Sequence, residues 1–348
     1  MTQVDVKMRD NWSTPYKLGK PLLQPSGIPG AFDSHGVDCP FVFYHQGRFM
    51  MMYVGFDGIG YQTALAESDD LIDWRPVGTI LNRKTDEGWD RVGAAGTWLL
   101  KETNELSELP VLKKVGGKYW MVYHAYPEEG YEAGPAEMGL AWSEDENLMN
   151  WHRLKNPVFS WKQGEPWERG GLYKAALIAH GGLYYMFYNA KDLTEGKWYE
   201  QTGVAMSKDM LHWTRYEGNP VIRNRAGWQS HCVADPFVAF DHGQWVLFYF
   251  GYDGVNAQEG LAVSDDLLEW YPIERPILEH GEKGELDEMH AHKPSVVRHN
   301  GVLYHFYCAV RSSRPGDPAF GLSPEFRTIT AALSQPYRNS SEPKSFGE

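Results

Sequence analysis

The sequence predicts an all-β protein, a five-bladed β-propeller in which each blade is a four-stranded antiparallel sheet. Three features predict it: a motif ending in tryptophan that recurs four times, a hairpin pattern that recurs five times, and an N-terminal segment that continues the last repeat. Stacked repeats bury apolar faces that one repeat alone would leave in water. We therefore expect a single domain over residues 1–348.

The tryptophan motif combines a serine, an aspartate two residues later, an apolar residue and the tryptophan. Its copies are SDDLIDW (68–74), SEDENLMNW (143–151), SKDMLHW (207–213) and SDDLLEW (264–270). Serine and aspartate side chains bind backbone groups in tight turns. We interpret the motif as structural, at the turn between the third and fourth strands of a blade.

The hairpin pattern has an apolar run, a turn and a second aromatic run, which predicts strands one and two of a blade. Aligned starts at residues 40, 110, 175, 236 and 294 place a glycine seven positions later, namely Gly47, Gly117, Gly182, Gly243 and Gly301. The predicted blades cover roughly 34–82, 105–160, 168–223, 230–280 and 288–336.

The N-terminus supplies the strand that the fifth repeat lacks. Residues 11–23 resemble the segment after Trp74, whereas the strand predicted at 327–334 is followed by no such segment. We expect 11–23 to complete the last blade and close the ring, which removes an open sheet edge. The polar residues 338–348 are expected to be a disordered tail. An ordinary β-sandwich with chance internal similarity is the alternative.

Composition excludes several classes of partner. The formal net charge is −13 and no basic run is present, which argues against nucleic acid. No apolar stretch approaches the ~18 residues of a membrane span. The first ten residues have no apolar core typical of a secretory signal, so we expect a cytoplasmic protein. Three cysteines are too few for a disulfide framework.

The functional face of a propeller of this kind lies where strand one starts and strand two ends. Residues just before strand one differ between blades: Asp38, Glu108, Tyr173 with Lys174, Asp235, and His292 with Lys293. The same face should hold His35, Trp167, Glu168, His231, His290, and at the ends of strand two His124, Asn189, Lys191 and Arg311. Ionisable groups that share a cleft shift each other's pKa values, as acid–base chemistry requires.

Two details bear on individual residues. The pattern Ser-His-x-Val-x-x-Pro-Phe-Val recurs at 34–42 and 230–238, but its carboxylate moves by one position, from Asp38 to Asp235. His290 and His292 alternate along a strand and so share a face. Because spacing specifies no third ligand, we expect no metal or other cofactor, with a central Ca²⁺ or other divalent ion as the alternative. A histidine beside a carboxylate is better interpreted as an acid, a base or a substrate hydrogen-bond donor.

Paired carboxylates on an aromatic-rich face suit carbohydrate chemistry. Aromatic residues outside the repeats are candidates for stacking on sugar rings: Phe32, Trp89, Trp98, Tyr126, Tyr131, Trp167, Tyr173, Trp198 and Trp228. The segments 82–108 and 127–137 are expected to wall the pocket.

On these motifs, nearly the whole chain resembles the five-bladed β-propeller glycoside hydrolases of families 43, 117, 32 and 130. Resemblance to family 43 implies a base at Asp38 and an orienting residue at Glu108, but Tyr173-Lys174 stands where that family has its acid, with Glu168 five residues upstream. Resemblance to family 117 implies Asp38, Asp235 and an acid histidine, His292 or His290.

The predicted function is an inverting, exo-acting glycoside hydrolase of a short plant or algal oligosaccharide. Asp38 is the predicted base, His292 or His290 the acid with Glu168 as substitute, and Asp235 the orienting residue. Predicted substrate contacts are His35, Glu108, His124, Trp167, Tyr173, Lys174, Asn189, His231, Lys293 and Arg311. The cations indicate either a substrate with a carboxylate or sulfate, or charge balance. The alternatives are a phosphorylase or transglycosidase on the same fold, and a carbohydrate-binding propeller without activity.

Overall fold

The computed structural model describes residues 10–84, 87–196, 198–318, 320–321 and 324–337. Their regular structure is almost entirely antiparallel β-strand, which confirms the predicted all-β class. Short 3-10 turns occur at Trp161–Gln163, Pro166–Glu168 and Thr194–Gly196. The tail predicted at 338–348 lies outside the described residues.

Antiparallel pairing arranges the strands in successive groups. The first group contains β2 (Gly36–His45), β3 (Arg48–Phe56), β4 (Tyr61–Ser68) and β5 (Arg75–Leu81). The second contains β6 (Ala95–Leu99), β7 (Lys114–Val115), β8 (Lys118–Ala125), β9 (Glu137–Ser143) and β10 (His152–Arg153).

The later groups repeat the same order of two long hairpin strands, a third strand and a short fourth. The third group contains β11 (Leu172–His180), β12 (Leu183–Asp192), β13 (Tyr199–Ser207) and β14 (Thr214–Arg215). The fourth contains β15 (Cys232–Asp241), β16 (Gln244–Tyr252), β17 (Ala257–Ser264) and β18 (Tyr271–Pro272). The last contains β19 (His290–His299), β20 (Val302–Ser312), β21 (Glu325–Leu333) and the N-terminal β1 (Tyr16–Lys17).

The N-terminal segment pairs with the last strand of the chain. Tyr16 in β1 lies opposite Leu333 in antiparallel β21, and Leu23 forms a further bridge to Ile329. This pairing is the one that the sequence predicts for 11–23, and it covers the outer edge of β21.

The second group departs from the prediction. Its inner strand is β6, which pairs with β8, whereas the predicted strand from residue 110 contributes only β7. The sequence from Pro110 has the apolar run and the glycine turn of a hairpin, but only its last residues pair with β8. The predicted start at residue 105 is therefore wrong, because the group already begins at Ala95 and a long connection follows.

The tryptophan motif forms a local turn. Ser68 Oγ accepts hydrogen bonds from the backbone N–H groups of Asp70 and Leu71, and the Trp74 indole N–H donates to the Leu71 carbonyl oxygen at 3.0 Å. The residue that accepts from the indole has a positive φ in all four copies: Leu71, Leu148, Met210 and Leu267. These bonds explain the motif by local structure, as predicted.

Several tryptophans proposed for sugar stacking belong to the core instead. Trp98 is buried, with its ring 4.7 Å from that of Phe41 and 4.9 Å from that of Phe237. A second set stacks on the buried tyrosines of the second strands: Trp89 on Tyr123, Trp167 on Tyr188 and Trp228 on Tyr249. Trp98 is fully buried and the other three are partly buried against the core, so packing accounts for these four rings.

Within the described part of the chain, no helix has the length and apolar character needed to cross a membrane.

Trp12 joins the N-terminal segment to distant strands. Its indole N–H donates to Asp241 Oδ2 at 2.9 Å, and the same carboxylate binds Arg298 at 2.7 Å. Because Trp12 is only 1% exposed, Trp12→Ala should lower the free energy of unfolding by about 3–5 kcal/mol in urea titrations. Tyr16→Ala in β1, 45% exposed, is the control and should cost much less. Equal losses would contradict an anchoring role for Trp12.

Candidate active site

β-Bulges in the inner strands aim the polar side chains of the site. The pairing register shifts between Asp38 and Phe41, between Ala234 and Phe237, and between His292 and Ser295. Each bulge contains a proline, which has no N–H to donate to the ladder. The residue before it has a positive φ in each case: Cys39 (50°), Asp235 (57°) and Lys293 (66°).

The bulge explains why two copies of one sequence pattern carry their carboxylates one position apart. Asp38 lies in the ladder, opposite Val54, whereas Asp235 is the bulged residue itself. A bulge redirects the side chain of the extra residue. Lys174 takes the corresponding place on β11, where the register shifts between Tyr173 and Ala175.

The side chains at these bulges surround a cavity of about 250 Å³. Seven residues predicted as catalytic groups or substrate contacts line it: His124, Tyr173, Lys174, Asp235, His290, His292 and Lys293. So do three further aromatic residues predicted for sugar stacking, namely Tyr126, Tyr131 and Trp198. Two more, Asp38 and Asn189, are buried and hydrogen-bonded to residues of its wall. We call the expectation that the site lies where first strands start and second strands end the strand-end rule. Most of the residues that the strand-end rule predicts therefore lie at or beside one cavity.

Asp38 is bound by two buried cations. Its Oδ2 accepts from Lys293 Nζ at 2.6 Å and from Arg327 at 3.3 Å, while Oδ1 accepts from the Cys39 backbone N–H at 2.9 Å. Burial alone would raise the pKa of Asp38, but the charges of Lys293 and Arg327 outweigh it and hold the pKa well below its usual range. The carboxylate does not line the cavity, so it is badly placed for its predicted role as the base.

His292 is held as a neutral imidazole. Its Nδ1 donates to the Cys308 carbonyl oxygen at 3.0 Å, and its Nε2 faces a guanidinium nitrogen of Arg327, which can only donate, at 3.4 Å. Burial and the charges of Lys293 and Arg327 lower the pKa of His292 well below its usual value. The predicted acid therefore carries no proton on the nitrogen that faces Arg327.

The other two histidines of the wall are also uncharged near neutral pH. Burial, and then the charge of Arg327, lowers the pKa of His290 to about 4, and burial lowers the pKa of His124 to about 3. His290 Nδ1 accepts from the Ala257 backbone N–H at 3.1 Å, which leaves the proton on Nε2. These imidazoles can donate hydrogen bonds to a ligand but not act as imidazolium acids.

Two carboxyl groups of the wall have opposite electrostatic environments. Asp235, 4% exposed, has its pKa raised to about 6 by burial, although Lys174 and Lys293 partly offset that effect. Glu132 lies 3.8 Å from Lys293 and 3.7 Å from Lys191, and these charges lower its pKa against the effect of burial. One group thus keeps its proton to a higher pH while the other loses its proton more easily.

Glu200 contacts three side chains at the cavity. Its carboxylate accepts from the Asn189 amide at 2.6 Å and from the Trp198 indole N–H at 2.7 Å, and it lies 3.8 Å from Lys191. The same Asn189 amide is 3.4 Å from Asp235. Glu132, at 3.7 Å, and Glu200, at 3.8 Å, therefore share the Lys191 ammonium.

The sequence rule missed Tyr61, Glu132, Glu200, Glu325 and Arg327, all of which line the cavity. Glu200, Glu325 and Arg327 lie near the starts of third strands, β13 and β21. A third strand starts on the face where the second ends, so the same topology would have indicated them. Tyr131 and Glu132 come from the segment 127–137, which was expected to wall the pocket.

Glu168 is not part of the cavity, so the structure contradicts its prediction as substitute acid. It is fully buried, and both its carboxylate oxygens accept from Arg215, at 2.9 and 3.0 Å. Its charge also raises the pKa of the buried Tyr188, to which burial contributes most. Corresponding tyrosines bind Asp90 and Asp287, so Glu168 belongs to a structural repeat.

The remaining predicted contacts lie elsewhere. His35 and His231 each pair with the preceding serine, Ser34 and Ser230, and do not line the cavity. Arg311 forms a two-bond ion pair with Asp317. Trp167 stacks on Tyr188 in the core, and Glu108 is exposed because the strand predicted to follow it is not the inner strand. The structure therefore does not bring these five residues to the cavity.

One set of side chains has the spacing of metal ligands, but its chemistry does not fit a cation. Ligand atoms of Asp38, His292 and Cys308 lie within 4.8 Å of one another. Asp38 is already bound by two cations, and burial raises the pKa of the Cys308 thiol well above its usual value. A divalent ion there would face two positive side chains and a protonated thiol.

Removing the Asp38 charge should destabilise the fold. Asp38→Asn leaves Lys293 and Arg327 buried without their shared carboxylate, so the free energy of unfolding at pH 7 should fall by about 3–5 kcal/mol. Glu102→Gln, which removes the exposed partner of Lys113, should change it by less than about 1 kcal/mol.

The pH dependence of stability in wild type and Asp38→Asn tests the same ion cluster. The pKa of Asp38 is lower in the folded than in the unfolded chain, so its contribution is complete above about pH 4 and is lost as pH falls through the folded value. The difference between wild type and Asp38→Asn in urea titrations should therefore shrink below pH 4. A constant difference from pH 7 to pH 3 would contradict the ion cluster.

Comparison with known proteins agrees with this geometry. Residues 102–307 match the family described as "Glycosyl hydrolases family 32 N-terminal domain". A solved structure described as a complex of BT0996 with RGII is 30% identical, with 98% of this chain and 97% of that chain covered and a TM-score of 0.82. A second, described as "Glycoside hydrolase", is 29% identical over 99% of this chain and 98% of that one, with a TM-score of 0.81.

A curated relative is named as a phosphorylase rather than as a hydrolase. The "1,2-beta-oligomannan phosphorylase" of Thermoanaerobacter sp. (strain X514) is 30% identical over 122 residues, which is 33% of this chain and 40% of that protein. The similarity therefore spans less than half of the relative. The family match covers more than half of the present chain and confirms the glycoside hydrolase class predicted from its repeats. The chain belongs to the family of glycosyl hydrolase family 32 N-terminal domains.

Proposed function

We propose that the protein is an exo-acting, inverting glycoside hydrolase in which Asp235 is the general acid and Glu132 the general base. The observation that carries the proposal is that burial and cations push the pKa values of two carboxyl groups in one cavity in opposite directions. Such a divergence is how an active site assigns acid and base roles to two similar groups.

We also propose that the strand groups form a closed five-bladed propeller with the cavity at its axis. β1 pairs with β21, and Val42 on β2 donates to Ser295 Oγ on β19 at 3.0 Å, so the first and last groups are in contact. Two parallel β-bridges join consecutive groups, one between Glu200 and Cys232 and the other between Ala257 and His290. They support an arrangement in which the groups follow one another around the ring in chain order.

In this mechanism Asp235 protonates the leaving oxygen, and Glu132 takes a proton from the attacking water. Lys293 and Lys191 keep Glu132 ionised. Asp38 and His292 become positioning residues, since Asp38 fixes Lys293 and Arg327 and His292 accepts from Arg327. This assignment replaces the predicted roles of Asp38 as base and His292 as acid.

The shape of the cavity supports a terminal sugar as the bound unit. Its volume of about 250 Å³ is just below the roughly 300–1,000 Å³ of typical ligand pockets. Tyr61, Tyr126, Tyr131 and Tyr173 give it an aromatic side, on which the apolar face of a sugar can pack. Because one relative is described as a complex with RGII, oligosaccharides of RGII are the first substrates to test.

Removing either carboxyl group should abolish most of the turnover. Asp235→Asn and Glu132→Gln should each lower kcat by about 10²–10⁴-fold, because each removes a proton-transfer group. The matched controls Asp73→Asn and Glu102→Gln alter exposed carboxylates and should keep near-wild-type rates. Release of the sugar product would be followed by chromatography, and the anomeric configuration of that product by NMR. Near-wild-type turnover by Asp235→Asn would refute its role as the acid, and a product that keeps its configuration would refute inversion.

The pH dependence of kcat/KM should be bell-shaped. Activity needs Glu132 ionised, with a pKa below its usual 4.5, and Asp235 protonated, with a pKa of about 6. The rate should therefore fall above about pH 6. The negative charge of Glu200 helps to raise the pKa of Asp235, so Glu200→Gln should move this alkaline limb to lower pH. An alkaline limb unaffected by Glu200→Gln would contradict the assignment.

A phosphorylase is the second candidate, because the curated relative is named for phosphorolysis and the cavity wall contains Lys174, Lys293 and Arg327. Turnover with and without inorganic phosphate separates the two reactions. A hydrolase releases the free sugar at the same rate in both, whereas a phosphorylase requires phosphate and releases a sugar phosphate.

A further inference from the structure

Lys174 is a buried cation with no partner for its charged group. It is 4% exposed and lines the cavity, yet among the described residues no atom forms a hydrogen bond with its Nζ. The other cations of the wall are paired: Lys293 with Asp38, and Arg327 with Asp38 and Glu325. Lys191, which does not line the cavity, is paired with Glu132 and Glu200 of its wall.

The charge of Lys174 acts on two buried carboxyl groups, Asp235 and Glu259. Neither carboxyl group neutralises Lys174 below about pH 6, because both are then protonated. Burial raises the pKa of Asp235 to about 6, and burial raises the pKa of Glu259 well above its usual value. Glu259 is completely buried, and neither of its carboxyl oxygens has a hydrogen-bond partner among the described residues. An unpaired buried ammonium is costly, so its charge needs an external counter-ion.

We propose that Lys174 anchors an anion-binding subsite of the cavity, and that the subsite takes the carboxylate of an acidic sugar residue in the substrate. This inference rests on the proposed function, because it names the substrate class of the same cavity. A carboxylate at this place would give the ammonium both its counter-charge and its hydrogen bond.

A sugar carboxylate fits the surroundings better than inorganic phosphate. Arg327, the side chain suited to two-bond recognition of phosphate, is already engaged by Asp38 and Glu325. The free donor is therefore one lysine, which is a point charge. A phosphate dianion would also lie in a wall that contains Glu132 and Glu200.

Binding of a substrate carboxylate would change the pKa of Asp235, the proposed general acid. Asp235 is affected by the positive charges of Lys174 and Lys293, which lower its pKa, and by Glu200 and Glu132, which raise it. A substrate anion beside Lys174 would offset that lysine and raise the pKa of Asp235 further. An acidic substrate would thus help to keep the acid protonated while it is bound.

Equilibrium binding tests the subsite without requiring turnover. Galacturonate, glucuronate, galactose, glucose and inorganic phosphate would be titrated at pH 5 into wild type, Lys174→Gln and the exposed-lysine control Lys208→Gln, with binding followed by NMR. We expect at least one uronate to bind wild type and Lys208→Gln at least 10-fold more tightly than its neutral counterpart, and this preference to vanish in Lys174→Gln.

The other outcomes overturn the proposal. Equal binding of the acidic and neutral sugars, a preference that survives Lys174→Gln, or binding of neither uronate would refute an acidic-sugar subsite. Lys174-dependent binding of phosphate alone would assign the subsite to phosphate instead. Because no bond is cleaved in these titrations, they can succeed even if the proposed hydrolysis fails.

A kinetic arm tests the same residue in catalysis. Acidic oligosaccharides that the enzyme hydrolyses would be compared with their carboxyl-reduced forms. Wild type should lose at least 10-fold in kcat/KM on reduction. It should also show the alkaline limb of its kcat profile at lower pH, because kcat reports the pKa values of the substrate-bound enzyme. Lys174→Gln should show neither difference. Equal rates for the two forms with wild type would refute the subsite, whereas no hydrolysis of any form would refute the proposed function and leave the binding test to decide on Lys174.

Discussion

The Asp38 carboxylate and the two cations that bind it hold the centre of this structure together. Lys293 is 255 residues away along the chain and Arg327 is 289 residues away, yet both reach the same oxygen atom. The three side chains connect β2 with β19 and β21, the first strand group with the last. Taking such charges out of water is expensive, and the cost is recovered only when each keeps its partner.

The same ion cluster organises the chemistry of the cavity. Lys293, fixed by Asp38, also reaches towards Glu132 and favours its ionised form. Burial, with the charges of Lys293 and Arg327, keeps His292 neutral, and Arg327 packs over Tyr131. Asp235, on its own bulge, is dominated by burial and keeps its proton to a higher pH. Burial of Asp235 and the cations beside Glu132 therefore give the two carboxyl groups of one cavity different protonation states.

Particular residues show where inference from the sequence succeeded and failed. The strand-end rule found Lys174, Asp235, His292 and Lys293, because each lies at or directly before a bulge near the start of a repeated hairpin. It placed Glu108 wrongly, because the stretch from Pro110 has the pattern of a hairpin while the inner strand is β6. It missed Glu200 and Arg327 because only the first two strands of each repeat were considered.

The sequence by itself determined the all-β class, four of the five hairpins and the serine–aspartate turns, since these follow from local periodicity and local hydrogen bonds. It also determined the pairing of residues 11–23 with the last strand, which follows from comparing the repeats. Tertiary structure decided which polar side chains meet. Glu168 and Asp235 are both carboxylates near the start of an inner strand, but one binds Arg215 in the core and the other lines the cavity. Their protonation depends on burial and on charges brought from distant strands, which no local pattern in the sequence records.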